Sequence, residues 1–330
     1  MSKYSVMPFL LTATIVALFS CSKPSSTSNN NNNGNAPRLR FVLKLDSTQE
    51  RLDAIGNPST IPANHRTLSP RFNSFGAHYI ELAATDTTGV GRGTVLYVTH
   101  TVNTPTITIG STTYTNAIDF DSLLLKNSGD ELFSIPLSQV KPGSYKWYRM
   151  SVAYQNYDVT YMIKAGTTTS TGYTFPSDYF GTGTLASFVG FQTYINSYVL
   201  KTQTVTVDAP KMQGYWGFES PFVYGGATYT TTPTQGQAPA GATTVVNPIF
   251  ASSPIPQGSC LVTGQFKNTS LTAQNLTITG NETADITVVV SMSINNSFEW
   301  VEHSGDNYYC PLNGDTVTDM GLRGLIPIIQ

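Results

Sequence analysis

The chain has 330 residues, 40% of them hydrophobic and only 12% charged, with a formal net charge of −2. That apolar content supports a real core, while the Thr, Ser, Asn, Gly and Tyr that replace charge suit strands and tight turns better than helices. The absence of any basic cluster removes the electrostatic footprint of a nucleic-acid binder, and past residue 20 no apolar run approaches the ~18 residues of a membrane span.

Residues 1–20 differ from the rest. Lys3 gives a positive start, and the run from Pro8 to Phe19 is apolar and of signal-peptide length. Leu18-Phe19-Ser20-Cys21 follows. It resembles the lipobox of bacterial lipoproteins, with an aliphatic residue at −3, a small one at −1 and Cys at +1. The resemblance implies cleavage before Cys21, acylation of its thiol and new amine, and a cell-envelope location at the outer membrane. The competing reading is an ordinary secretory signal with an incidental cysteine. Residues 21–37 are polar and short-chained, Asn29 to Asn33 being a pure asparagine run. They cannot bury enough surface to offset their ordering entropy, so a disordered tether is expected.

The expected folded body spans 38–330. Leu39, Phe41, Leu43 and Leu45 alternate with Arg38, Arg40, Val42 and Lys44, the pattern of a half-buried strand. Ser47-Thr48-Gln49-Glu50 fits a capping box, so a short helix is expected within Asp46 to Ile55. Ala77 to Leu82 and Gly93 to Val98 read as strands, and Thr106 to Thr115 as a hairpin turning at Gly110-Ser111. Leu132 to Pro136 is another strand. Lys141-Pro142-Gly143 then has the residues of a type II turn. Tyr145 to Tyr154, Val159 to Ile163, Leu185 to Phe191, Ser197 to Val207, Thr228 to Thr232 and Ala284 to Ile294 continue the strand pattern. No segment keeps a helical apolar period for three turns. Many short strands punctuated by turn signals predict an all-β, antiparallel sandwich, with one internal boundary to consider near 208–213.

Chemistry-bearing patterns are few. The sequence has no Gly-x-Ser-x-Gly elbow and no His-Glu-x-x-His pair. Gly89-Val90-Gly91-Arg92-Gly93 leads into a strand, which makes it a hairpin turn rather than a phosphate loop. Asp119 and Asp121 fall on one face of an expected strand, with Ile118 and Phe120 opposite. That pair could hold Ca²⁺ through oxygens, serve as the acid and base of a hydrolase, or form a solvated face. His303 to Asn307 and Asn313 to Asp315, with Asp319, make an oxygen-rich stretch that reads either as an ion site or as a polar loop stapled through Cys310. Tyr145 and Trp147 would share one strand face and could stack on sugar rings, with Tyr148 and Tyr154 on the other face. Cys260 and Cys310 could pair in an oxidising compartment and close a loop of about 50 residues. Asp46-Ser47-Thr48, Asp86-Thr87-Thr88, Asp121-Ser122-Leu123 and Asp315-Thr316-Val317 resemble the O-glycosylation acceptors of Bacteroidota, with Ser47, Thr87, Ser122 and Thr316 as acceptors.

Lipobox, Ser/Asn-rich tether and Thr/Tyr-rich body together resemble envelope lipoproteins of the Bacteroidota. Over most of the body, the order of elements is also similar to the methanobactin-associated periplasmic protein family, copper-binding β-sandwiches. Ala77 to Leu82, Val140 to Tyr145, Gly214 to Phe218 and Asp285 to Ser291 carry the likeness. It implies a role for Trp216, at the family's aromatic motif. Copper also needs imidazole or soft sulfur, and no histidine lies between 217 and 257. His78 and His100 would have to supply the site, with His65 and His303 in expected loops. The residues themselves lead to no expected cofactor.

The reading favoured by the sequence is a membrane-anchored envelope lipoprotein with a non-catalytic binding or structural body. Its partners are the membrane, through the lipid, and an envelope protein or glycan. A copper-binding periplasmic protein and a surface glycan-binding lipoprotein are the alternatives.

Overall fold

The computed structural model describes residues 36–53, 56–109, 112–168, 172–224, 226–230, 232–238, 260–303 and 305–330. Residues 1–20, Cys21, nearly all of the expected tether and the Gly110-Ser111 turn lie outside them, as does the side chain of Cys260.

The alternation at the start of the body forms the strand Arg38–Asp46, with Leu39, Phe41 and Leu43 fully buried. Its neighbours come from distant parts of the chain. Ile286–Ser293 pairs with it in parallel, and Glu131–Pro136 pairs antiparallel on its other edge. Leu325–Ile329 adds to Ile286–Ser293 and completes a four-stranded sheet.

A larger, eight-stranded sheet is organised on one strand of 17 residues, Trp147–Ile163. Arg71–Ala83 runs along one edge of it as far as Asp158. The other edge takes Cys260–Gln265 along Trp147 to Val152, then Tyr179–Phe188 from Tyr154 onward. Thr94–Val98 and Leu124–Lys126 pair with Arg71–Ala83, and Tyr215–Glu219 and Thr234–Gln237 extend the far side. The main core joins Leu39, Phe41, Val288 and Val290 of the small sheet to Ile80, Tyr148, Met150 and Val262 of the large one. A second core packs Tyr154, Phe188 and Tyr215 against Ile118, Ile195 and Tyr198. The last three come from a four-stranded sheet in the order Thr204–Met212, Gln192–Val199, Thr112–Asp119, Thr101–Ile109. A third core packs Tyr157, Val159 and Leu185 against Phe298 and Trp300 of the small sheet His65–Leu68, Phe298–Val301, Thr316–Met320. The fold is all-β and sandwich-like, as its sequence pattern predicts, with parallel pairs at Arg38–Asp46/Ile286–Ser293 and Thr112–Asp119/Gln192–Val199. Residues 36–330 form one compact unit, and Thr204–Met212 runs unbroken across the 208–213 region.

Several local expectations are corrected. No helix forms after Asp46 among the described residues, because its carboxylate accepts from the Thr48 N–H and hydroxyl and closes a local turn. Leu52 N–H then bonds to Arg323 O, a tertiary partner that a helix would forgo. Gly143 does not take the positive φ of a type II turn; it opens a short strand that pairs with Leu276–Ile278. Strand pairing is interrupted at Lys146, so Tyr145 belongs to that short strand and Trp147 to the long one. Ser197 to Val207 is two strands joined at 200–203. The strand carrying Asp119 ends there, and Phe120–Ser122 is a 3-10 turn whose Asp121 N–H is capped by the Asp119 carboxylate.

Candidate functional site

Beyond Asp158 the long strand loses Arg71–Ala83 as a neighbour. On its remaining paired edge Thr160 faces Thr182 and Met162 faces Phe180 across the register. On the vacated edge Met162 N–H donates to Tyr309 O at 2.8 Å, which draws the 305–310 segment alongside. His65–Leu68 and Phe298–Val301 close the remaining side, with Arg66 opposite Trp300 and Leu68 opposite Phe298. A cleft of about 440 Å³ opens between these elements.

Its walls are aromatic. Phe180 and Tyr308 are 59% and 52% exposed, and their rings meet edge to face at 5.0 Å. Tyr161, Trp300 and Tyr309 line it more deeply, and Trp300 is 1% exposed with its indole Nε1–H unpartnered among the described residues. Gly181 is required beside Tyr161, because a Cβ there would run into the Tyr161 and Tyr179 rings. Burial raises the Tyr161 and Tyr309 hydroxyls to about 12, so both remain protonated donors at neutral pH. The polar lining includes Thr67, Thr160, Thr182 and Asn307, and no lining residue carries a formal charge. Asn307 Oδ1 accepts from Arg66 Nε at 2.5 Å, which orients the amide at a backbone φ of 67° that Asn tolerates better than most residues.

A buried ion cluster braces the wall. Glu299, next to Trp300, accepts from Arg51 at 2.8 Å, from His65 at 2.5 Å and from Arg323 at 3.3 Å. Burial pushes the Glu299 carboxyl up, but the hydrogen bonds from His65, Arg51 and Arg323 and the charge of Arg323 outweigh it and hold the group below its ordinary range. A second cluster lies where the cleft strand leaves Arg71–Ala83. Asp158 is pushed up by burial, yet hydrogen bonds from Lys201, Asn73, Thr184 and Arg71 bring it down to about 2. Both clusters hold elements together and leave no ionised oxygen unspent.

The residues singled out in the sequence fall elsewhere. Tyr145 is 4% exposed in the main core and its hydroxyl donates to Lys141 O, so it cannot present a face to a sugar. Tyr148 and Tyr154 are buried as well. Trp147 is half-buried and its Nε1 donates to Asp86. Asp121 accepts from Asn196 at 2.6 Å while Asp119 caps the turn, so the two carboxylates do not share a strand face. His78 is buried against Phe191, whereas His100 is exposed; their segments run side by side, with Tyr79 opposite Val98 and Thr99 N–H bonded to His78 O. Trp216 packs in the third core against strand Thr234–Gln237. Asp315 spends both oxygens on the His303 and Cys310 N–H groups, and Asp319 pairs with Arg323. Among the described residues no group of three or more His, Cys, Asp or Glu is placed to hold a metal. Cys310 is buried with its sulfur 3.5 Å from an Asp306 carboxylate oxygen. Ser47, Thr87 and Thr316 are exposed, while Ser122 is half-buried with its hydroxyl donating to Asp119 O.

Phe180, Trp300, Asn307 and Tyr308 carry the cleft; the sequence reading took Asn307 as part of an oxygen-rich loop and passed over the other three. The Tyr308-Tyr309 pair was the one available signal, hidden by the denser run at 145–157. No family model matches the chain, and no curated protein or solved structure matches it either.

Proposed function

We propose that the protein is an envelope lipoprotein, held to the outer membrane through acylated Cys21, whose sandwich-like body is a non-catalytic binding module. The anchor is supported by Leu18 to Cys21 and by the polar segment after it. Two or more acyl chains hold a protein on a membrane far more firmly than one. The observation that carries the binding role is the cleft with Phe180 and Tyr308 exposed at its mouth. Pockets that take small ligands span about 300–1,000 Å³ and combine aromatic walls with a few placed polar groups, which is the composition found here. The full chain, expressed in a diderm bacterium, is expected in the outer-membrane fraction. Cys21→Ser is expected to move it to the soluble fraction with the body's thermal transition unchanged. Wild-type protein recovered as soluble would contradict the anchor.

A further inference from the structure

We infer that the cleft binds a neutral glycan, packing a sugar ring into the aromatic corner that Phe180 and Tyr308 form. This rests on the binding role proposed for the same cleft. Three features select the ligand class. First, no charged side chain lines the cleft, so an ionised ligand would be desolvated there without a counter-charge, an expensive transfer. Second, the aromatic faces are joined by aliphatic hydroxyls and an amide. Thr160 and Thr182 are exposed and directly opposite one another on neighbouring strands, which places their Cβ atoms roughly 5 Å apart, comparable to the width of a pyranose ring. Asn307 has its Oδ1 taken by Arg66, and its Nδ2 donors remain available. A purely apolar ligand would strip water from these groups and return no hydrogen bond, a net cost. Third, the Phe180 and Tyr308 rings are exposed at the mouth of the cleft, an apolar surface against which the C–H face of a ring can pack. A sugar ring meets all three conditions: an apolar C–H face for the rings, a hydroxyl edge for Thr160, Thr182 and Asn307, and no charge.

The test uses soluble full-length Cys21→Ser protein and a panel of neutral hexasaccharides from β-glucan, α-glucan, xylan and mannan, titrated by calorimetry. N-phenyl-1-naphthylamine, a neutral apolar fluorophore, is titrated in parallel. Phe180 and Tyr308 are exposed, so Phe180→Ala leaves the core intact, and Thr182→Arg fills the cleft from an exposed strand position. The expected result is saturable binding of at least one hexasaccharide, weakened tenfold or more by Phe180→Ala and by Thr182→Arg. Hexasaccharide binding that both variants leave unchanged would overturn the inference. So would no hexasaccharide binding while the fluorophore binds in a Phe180-dependent way; in that case the cleft still binds ligands but not glycans. If neither probe binds, the proposed binding role of the cleft falls together with the glycan.

Discussion

His78 shows how little a single residue type reveals about its role. The sequence offers it as a copper ligand, but the strand Arg71–Ala83 is buried on both faces from Phe75 to Ala83, so alternation cannot say where the ring goes. The ring lies in the interior with Nδ1 unpartnered among the described residues. Burial lowers its pKa from 6.5 to about 4, partly offset by a hydrogen bond to the Ser151 backbone. The unfolded chain therefore takes up a proton at higher pH than the folded one. The contribution of His78 is complete above about pH 6.5, falls as pH drops through the interval to about 4, and amounts to about 3 kcal/mol at most. Urea unfolding at about pH 7 and about pH 4 should show this loss in the wild type, and His78→Leu should remove most of it. An equal loss in both proteins would place the acid sensitivity elsewhere, in carboxylates such as Asp158.

Among the elements, the turn at 200–203 was invisible to sequence reasoning for a physical reason. It contains Lys201 and Thr202 rather than Gly or Pro, and what closes it comes from elsewhere in the fold. Glu219, fully buried, accepts from the N–H groups of Lys201, Thr202 and Gln203 and from the Thr202 hydroxyl. Burial pushes this carboxyl up, but those donors hold it below its ordinary value. Glu219→Ala would leave three backbone donors without their acceptor, at a cost of about 3 kcal/mol. Hydrogen exchange should report faster exchange at Lys201 to Gln203, and unchanged protection there would show that solvent serves equally well. A second element depends on a buried pair. Glu81 accepts from Gly93 N–H at 2.6 Å and lies 3.6 Å from Arg149, which in turn donates to Thr88 O at 2.5 Å. The glycine-rich segment is thus the hairpin connection that its residues predict, held down by a carboxylate and a guanidinium that local sequence does not link. Arg149→Leu strands the Glu81 charge, and a loss of about 3–5 kcal/mol in unfolding free energy is expected.

For the molecule as a whole, strand content was legible because β-branched and aromatic residues alternate throughout. Strand order was not. Arg38–Asp46, the first strand, pairs in parallel with Ile286–Ser293, and Arg38 N–H bonds to Asp285 across 247 positions of sequence. The cleft escaped notice for the same reason, since Leu68, Phe180, Trp300 and Tyr308 meet only once the sheets are assembled. Closure of the sheets also leaves its mark at Gly264. A Cβ there would collide with Leu325 O and crowd Pro327, where Cys260–Gln265 passes Leu325–Ile329. Gly264→Ala should cost about 1–3 kcal/mol, as overpacking does, seen as a lower urea midpoint at unchanged slope. The body so built is proposed to sit on the membrane by its lipidated cysteine. Mass spectrometry of the N-terminal peptide of the membrane-extracted protein tests that claim most directly. A mature chain beginning at Cys21 and carrying the mass of a diacylglycerol, with or without a third acyl chain, is the predicted result. A chain that retains residues 1–20, or that begins elsewhere with an unmodified Cys21, would contradict it.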